Sequence, residues 1–250
     1  MRQRSEVIAS VAADPSRTGI FTDFDGTVSL IVERPEDAVP ADGAAEALEA
    51  LAQRYALVAV VSGRSLEDLR GRIRPRGVLL CGSYGRERST ATIRRQTEGW
   101  ETVAIAAKAA ARLMPGVFVE RKGAGIALHF RDAPDLSDEI REMAETLASE
   151  FGLEIRPGRK VFELVAPGPG KGEAILALID EGGLDRVLVA GDDWGDLDAF
   201  RLLRAAGVDA VIVAVVSEEA PPGLTDDADL VLDGPDELVG FLQDLGAPVG

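Results

Sequence analysis

Two aspartates stand two residues apart directly after a short apolar run. Asp23 and Asp25 follow Gly19-Ile20-Phe21 and precede Gly26-Thr27. Because side chains alternate along an extended strand, both carboxylates point the same way. At the carboxyl end of a buried parallel strand, that direction faces the crevice in which doubly wound α/β folds bind ligands. Two like charges there favour a bound cation or a proton on one of them.

A second polar stretch follows the next apolar run. Ser62-Gly63-Arg64 comes immediately after residues 55–61 and stands just before a helical pattern that begins at Leu66. A serine hydroxyl and backbone N–H groups at the start of a helix suit a phosphate group. The alternative is an ordinary helix cap and turn.

The third and fourth stretches lie late in the chain. Lys171 begins a helical pattern after a Pro-Gly-Pro-Gly linker, where the helix macrodipole disfavours a cation unless an anion lies nearby; the alternative is a solvated lysine. Asp192, Asp193 and Asp196 follow the apolar run Arg186 to Ala190. Three carboxylates this close together need positive charge, and their oxygens suit Mg²⁺.

The elements that must position these residues alternate between strands and helices. We expect strands near residues 19–21, 55–61, 78–81, 186–190, 210–215 and 230–232, with helices between them. This pattern predicts an α/β fold with a parallel sheet. Residues 86–98 read as a hairpin or loop, and from about residue 100 the order changes to α-β-β-α-β-β. We therefore expect a core formed by residues 1–98 and 168–250, with an α+β domain inserted at residues 99–167.

The motifs together resemble a known superfamily. DFDGTV resembles the DxDGT signature of the haloacid dehalogenase-like (HAD-like) phosphatases, and Ser-Gly-Arg, a lysine at a helix start and GDDxxD follow in that superfamily's order. The resemblance implies a doubly wound, Rossmannoid sheet with strand order 5-4-1-2-3. In that order, Asp23, Asp25 and Asp192 would lie at one place.

The resemblance also implies residue roles. Asp23 would be the nucleophile that forms an aspartyl phosphate, Asp25 the general acid and base, and Lys171 the cation that offsets repulsion. Superfamily members that keep their phosphoaspartate have threonine at the position of Asp25, so this residue favours hydrolysis. The implied phosphate-binding residues are Gly26, Thr27, Ser62, Gly63 and Arg64. The implied Mg²⁺ ligands are Asp23, the main-chain oxygen of Asp25, and Asp192, with Asp193 and Asp196 holding bound waters and Lys171.

A closer resemblance is to the trehalose-phosphate phosphatase family. ERKGAGIALHFR and GRKVFELVAPGPGKG resemble its E-x-K-G…H-Y-R and G-K-x-x-E…K-G stretches. By that resemblance the inserted domain is a sugar-recognition cap in which Glu120, Lys122 and Glu163 contact sugar hydroxyls; the alternative is an ordinary charged hairpin.

Three positions depart from the family pattern, namely Tyr84, Gly195 and Leu197. They leave open another sugar phosphate, such as glucosyl- or mannosyl-phosphoglycerate, sucrose phosphate or a pseudo-disaccharide phosphate.

Composition limits the other possibilities. The formal charge of −16 disfavours nucleic acid and anionic membranes as partners, and no apolar run is long enough to span a bilayer. The single cysteine excludes an internal disulfide, and we expect a cytoplasmic monomer. A phosphate-binding regulatory module is the alternative outside enzymes, but Asp25 and the inserted domain disfavour it.

Overall fold

The computed structural model describes residues 2–32, 34–89, 100–122 and 125–247. The chain divides into two compact units. We call Met1–Ala91 with Pro169–Gly250 the core unit, and Thr92–Gly168 the inserted unit. Most of the predicted hairpin or loop at residues 86–98 lies outside the described residues.

Strands and helices are numbered in chain order over the described residues. The strands are β1 (Thr18–Thr22), β2 (Leu57–Val61), β3 (Leu79–Gly82), β4 (Glu87–Arg88), β5 (Phe118–Lys122), β6 (Gly125–His129), β7 (Glu154–Gly158), β8 (Val161–Val165), β9 (Arg186–Gly191), β10 (Ala210–Val216) and β11 (Leu230–Asp233). The helices are α1 (Arg4–Val11), α2 (Ala44–Ala52), α3 (Leu66–Arg72), α4 (Trp100–Ala111), α5 (Ser137–Phe151), α6 (Lys171–Gly182), α7 (Trp194–Ala205) and α8 (Gly234–Gly246).

The core unit contains a sheet in the order β11-β10-β9-β1-β2-β3-β4. Its neighbouring strands are parallel, except that β4 runs antiparallel to β3. The strands β10-β9-β1-β2-β3 follow the predicted order 5-4-1-2-3. The predicted α/β fold with a doubly wound parallel sheet is therefore confirmed.

Helices cover both faces of this sheet, which explains why β1 is buried along its length. Ile20 packs into a cluster that includes Leu48 of α2 and Phe241 of α8. The next residue, Phe21, points the other way and packs with Phe200 of α7. Because both faces of β1 are buried, its carboxyl end is held firmly between β2 and β9.

The inserted unit is a four-stranded antiparallel sheet in the order β5-β6-β8-β7. Ile126 and Leu128 of β6 pack with Phe162 of β8 and Ile140 of α5. Since side chains alternate along a strand, the residues between these apolar positions occupy the opposite face. That face carries the charged residues of β5 and β8 described below. In the described part of the chain, no helix is both long and apolar enough to cross a membrane.

Candidate active site

Asp23 directly follows β1. Its backbone N–H donates to the carbonyl oxygen of Ala190 on β9 over 3.0 Å, and the residue is 4% exposed. Its Oδ2 lies 3.0 Å from Nζ of Lys171. Its other oxygen, Oδ1, is buried and has no hydrogen-bond partner among the described residues. The carboxylate is thus oriented through one oxygen, and the second remains available.

Lys171 is surrounded by carboxylates. Besides Asp23, its Nζ lies 3.0 Å from Oδ1 of Asp196 and 3.3 Å from Oδ1 of Asp193. Burial opposes the charge of the ammonium group, but the three carboxylates outweigh that effect and raise the pKa of Lys171 well above its usual value. This arrangement supplies the anions that a lysine at a helix start requires.

Asp193 and Asp196 also form the amino-terminal cap of α7. The side chain of Asp193 accepts from the backbone N–H of Asp196 over 2.9 Å. In return, Oδ2 of Asp196 accepts from the backbone N–H of Asp192 and of Asp193. A Cβ on Gly191 would lie 2.1 Å from Cγ of Asp196, so the close approach requires glycine. Two acids of the cluster therefore have a structural role that the sequence analysis missed, although their spacing is that of a capping box.

The cluster holds more negative than positive charge. Oxygens of Asp23, Asp193 and Asp196 lie within 4.8 Å of one another, and they share the single ammonium of Lys171. Burial, with repulsion from neighbouring acids, outweighs Lys171 and raises the pKa of Asp23 to about 6. Burial, followed by repulsion from Asp193, raises the pKa of Asp196 well above its usual value. The excess charge and the unpartnered Oδ1 of Asp23 fit a divalent cation.

A hydrogen bond joins the loops after β1 and β9. Oγ1 of Thr27 donates to Oδ1 of Asp192 over 2.6 Å, and both residues are buried. The turn before Thr27 requires glycine, because Gly26 has a positive φ of 77°. Its N–H donates to the carbonyl oxygen of Ser29. The structure therefore links Thr27 to Asp192, which lie far apart in sequence.

The loop Ser62-Gly63-Arg64 is held by the turn after β3. The carbonyl oxygens of Ser62 and Arg64 accept from the backbone N–H groups of Tyr84 and Ser83, respectively. Oγ of Ser62 accepts from the N–H of Arg64 over 3.2 Å, which leaves its own proton for another acceptor. A Cβ on Gly63 would lie 2.8 Å from the Tyr84 hydroxyl, so the packing requires glycine.

The turn itself is strained. Ser83 and Tyr84 have positive φ values of 49° and 59°, and such strain is concentrated at functional sites in proteins. The sequence analysis noted Tyr84 only as a departure from the family pattern. Its flanking glycines, Gly82 and Gly85, were the available signal that this turn packs closely against other elements.

Arg64 contacts Asp25. Nε and Nη2 of Arg64 donate to the two carboxylate oxygens of Asp25, each over 2.7 Å. Arg64 is 6% exposed, whereas the Asp25 side chain is 44% exposed. Nη1 of Arg64 also donates to Asp68 over 2.5 Å. The sequence analysis missed Asp68, although its position four residues after Arg64 at the start of α3 was a signal.

The predicted sugar-binding residues share one face of the inserted unit. Ala127 of β6 is the cross-strand partner of both Glu120 and Glu163. Lys122 forms an ion pair with Glu163, and Oε2 of Glu120 lies 2.8 Å from Nε2 of His129. The structure thus places the three residues on the same face and adds His129 to them.

Comparison with known sequences identifies the family. The model of the Trehalose-phosphatase family matches residues 21–230. The chain belongs to this family. The match spans Asp23, the Ser62 loop, the inserted unit and Lys171, and the family is one of phosphoric monoester hydrolases.

The chain is similar to relatives with two different names. The chain is 36% identical over 217 residues to the trehalose-phosphate phosphatase of Mycobacterium tuberculosis, covering 81% of this chain and 54% of the relative. It is 40% identical over 213 residues to an uncharacterized glycosyl hydrolase of the same species, covering 78% of this chain and 16% of the relative. The chain therefore spans about half of the first relative and about a sixth of the second.

Solved structures show the same fold. The carboxyl-terminal domain of Candida albicans trehalose-6-phosphate phosphatase superposes with a TM-score of 0.80 at 23% identity, covering 98% of this chain and 96% of that domain. A trehalose-6-phosphate phosphatase related protein superposes with a TM-score of 0.72 at 25% identity, covering 91% of this chain and 96% of that protein.

Proposed function

We propose that this protein is a Mg²⁺-dependent phosphomonoesterase that hydrolyses a sugar phosphate, with trehalose 6-phosphate as the leading substrate. The observation that carries the proposal is the carboxylate of Asp23. It is buried at the carboxyl end of the central strand, with Oδ2 on Lys171 and Oδ1 unpartnered among the described residues. The family match and the relatives named as trehalose-phosphate phosphatases support the substrate.

The cation would be held by Asp23, Asp192 and the main-chain oxygen of Asp25. Asp193 and Asp196 would orient its waters and keep Lys171 in place. When bound, Mg²⁺ supplies positive charge that offsets the charge of the phosphoryl group and of the nucleophile. The excess of carboxylates over ammonium groups in the cluster supports this need for a cation.

In the first step, the Asp23 carboxylate attacks phosphorus while the bond from phosphorus to the sugar oxygen breaks. Lys171 orients the carboxylate and reduces its repulsion from the phosphate. Asp25 gives a proton to the departing sugar oxygen. The product is an aspartyl phosphate on Asp23, so one difficult displacement becomes two easier ones.

In the second step, water attacks the phosphorus atom of the aspartyl phosphate. Asp25 takes the water proton, the bond from phosphorus to Asp23 breaks, and inorganic phosphate leaves. The phosphoryl oxygens would be bound by the hydroxyl of Ser62 and by the backbone N–H of Gly63. The free proton of the Ser62 hydroxyl supports this role. Gly26 and Thr27 would shape the loop beside the phosphate, because the Gly26 N–H donates to Ser29 and the Thr27 hydroxyl donates to Asp192.

Recognition of the sugar would reside in Glu120, Lys122 and Glu163 of the inserted unit. Each offers a charged partner for a sugar hydroxyl, and such a hydrogen bond contributes about 1.5–3 kcal/mol. The phosphate-binding residues of the core unit would recognise the group that all phosphomonoesters share. Discrimination among sugars therefore needs these additional contacts.

The test is phosphate release from a panel of sugar phosphates with and without Mg²⁺. The panel contains trehalose 6-phosphate, sucrose 6-phosphate, glucosyl- and mannosyl-phosphoglycerate, and p-nitrophenyl phosphate. We expect the highest kcat/KM for trehalose 6-phosphate and no release without Mg²⁺. A higher value for another sugar phosphate would correct the substrate. No release from any member, together with phosphate binding in a calorimetric titration, would favour a regulatory module.

A further inference from the structure

We propose that Arg64 is a positioning residue that orients Asp25 for proton transfer, rather than a ligand of the phosphoryl group. The inference deepens the proposed function and rests on it. It starts from the two-point contact between the guanidinium of Arg64 and the carboxylate of Asp25.

The hydrogen-bond donors of Arg64 are almost fully used. A guanidinium group has five N–H donors. Nε–H and one Nη2–H bind Asp25, the second Nη2–H binds the carbonyl oxygen of Pro35 over 2.9 Å, and one Nη1–H binds Asp68. Among the described contacts, a single N–H remains. An arginine that binds a phosphate would offer it a pair of donors in fork geometry, and Arg64 presents its fork to Asp25 instead.

The guanidinium is also fixed in space. It is buried, it lies over the ring of Phe24 at 5.7 Å from the ring centroid, and Asp68 and Pro35 hold its other edge. Asp25, by contrast, is about half exposed. The rigid partner therefore orients the mobile one, because an exposed carboxylate on its own adopts several rotamers.

The contact fixes where Asp25 can transfer a proton. Two hydrogen bonds from one guanidinium, each over 2.7 Å, define both the position and the plane of the Asp25 carboxylate. The side chain of Asp25 is 44% exposed, so water can reach it. Arg64 thus holds Asp25 where it can serve the water that attacks the phosphorus atom of the aspartyl phosphate.

Burst kinetics with p-nitrophenyl phosphate can separate the two steps. Nitrophenolate leaves without needing a proton, so formation of the aspartyl phosphate does not depend on Asp25 for this substrate. Loss of the base slows only the second step. The expected signature is a rapid burst of about one nitrophenolate per active site, followed by slow turnover, with phosphoenzyme accumulating.

The variant to measure first is Arg64→Lys. It keeps the positive charge and most of the buried side chain, but lysine cannot form the two-point contact. We expect the burst rate to stay within about twofold of wild type and the steady-state rate to fall at least about tenfold. The matched control is Arg72→Lys. Arg72 also lies on α3 and pairs with Asp68, but it donates no hydrogen bond to Asp25 among the described residues, so both rates should stay near wild type.

The single variant Asp25→Asn and the double variant that combines Arg64→Lys with Asp25→Asn complete the experiment. If Arg64 acts through Asp25, Arg64→Lys should add less than about twofold to the loss of steady-state rate caused by Asp25→Asn. If Arg64→Lys fails to fold by circular dichroism, Arg64→Met is measured in the same way. An unchanged steady-state rate would overturn the proposal. So would a burst that slows as much as turnover, together with weaker inhibition by inorganic phosphate, because both would make Arg64 a phosphate ligand. Absence of phosphate release by the wild-type protein would instead refute the proposed function.

Discussion

The two units place their charged residues in different ways. In the core unit, Asp23 is buried at the end of a parallel strand and Lys171 is buried at the start of a helix. A backbone hydrogen bond to the neighbouring strand β9 holds the loop that begins at Asp23. In the inserted unit, Lys122 and Glu163 lie on the sheet face opposite that unit's apolar core and pair through their side chains, and Glu163 is buried. Parallel topology at a strand end fixes the first set, whereas the register of antiparallel strands fixes the second.

We propose that the two sets of residues divide the work between them. The core residues would act on the phosphoryl group, and substitutions there should affect every substrate. The residues of the inserted unit would act on the sugar, and substitutions there should affect only substrates that carry one. The following predictions test that division, from the largest expected effect to the smallest.

Replacement of Asp23 by asparagine should have the largest effect. An amide cannot attack phosphorus, so kcat should fall more than about a thousandfold for every substrate. Because burial raises the pKa of Asp23 from 3.8 to about 6, the native state binds the proton more tightly than the unfolded state does. Ionisation of Asp23 therefore lowers stability as the pH rises through this window. In metal-free buffer at pH 7, urea unfolding should show Asp23→Asn to be as stable as wild type or more stable.

A surface acid provides the control for this variant. Asp185→Asn removes an exposed carboxylate that pairs with Arg17, and its activity should equal that of wild type. Turnover by Asp23→Asn above a trace would show that another group is the nucleophile. A marked loss of stability would mean that the ionised Asp23 supports the fold.

Removal of metal should abolish activity on all substrates. EDTA should reduce phosphate release to the background rate, and added Mg²⁺ should restore it, because the acid cluster has more carboxylates than ammonium groups. The Mg²⁺ concentration that gives half-maximal activity should be the same in wild type and Glu163→Ala. Full activity in EDTA would contradict the mechanism. A change in the half-maximal Mg²⁺ concentration in Glu163→Ala would mean that the inserted unit affects metal binding.

Replacement of Glu163 by alanine should affect only sugar substrates. Loss of a charged partner for a sugar hydroxyl should lower kcat/KM for trehalose 6-phosphate at least about tenfold. Hydrolysis of p-nitrophenyl phosphate should stay nearly unchanged. The matched control is Glu154→Ala, which removes a more exposed glutamate from β7 and should change neither. Equal losses on both substrates would instead give Glu163 a role in the fold or the metal site.

Replacement of His129 should have the smallest effect. His129 contacts Glu120 and packs beside the ring of Phe118, so His129→Phe keeps the ring packing and removes the hydrogen bond. We expect kcat/KM for trehalose 6-phosphate to fall about two- to fivefold, since Glu120 loses orientation but keeps its charge. A loss of kcat/KM as large as that caused by Glu163→Ala would mean that His129 itself contacts the sugar.

The sequence predicted the core unit well because strand ends and topology leave few choices. Each apolar run that it identified as a core strand forms one, and the strand order puts the loops after β1 and β9 side by side. The roles of Asp193 and Asp196 were harder to predict, because the same spacing suits a helix cap, a contact with Lys171 and a metal site equally well. The structure shows the first two uses together.

The sequence could not predict contacts that depend on side-chain direction. Arg64 was assigned to phosphate on the basis of its motif, but the pairing with Asp25 depends on how the loop after β2 is oriented by the turn at Ser83-Tyr84. In the inserted unit, the pairing of Glu120 with His129 depends on the register of β5 with β6. Register and rotamer are set by packing, which a single sequence shows only indirectly.

The most direct test of the central claim is to trap the phosphorylated aspartate. The protein is mixed with trehalose 6-phosphate and Mg²⁺, quenched in acid within milliseconds, and reduced with borohydride, which converts an aspartyl phosphate to homoserine. Peptide mass spectrometry should find homoserine at position 23 in wild type, and at no position in Asp23→Asn. Homoserine in place of another aspartate would contradict the assignment of Asp23 as the nucleophile. So would the absence of homoserine in a protein that releases phosphate.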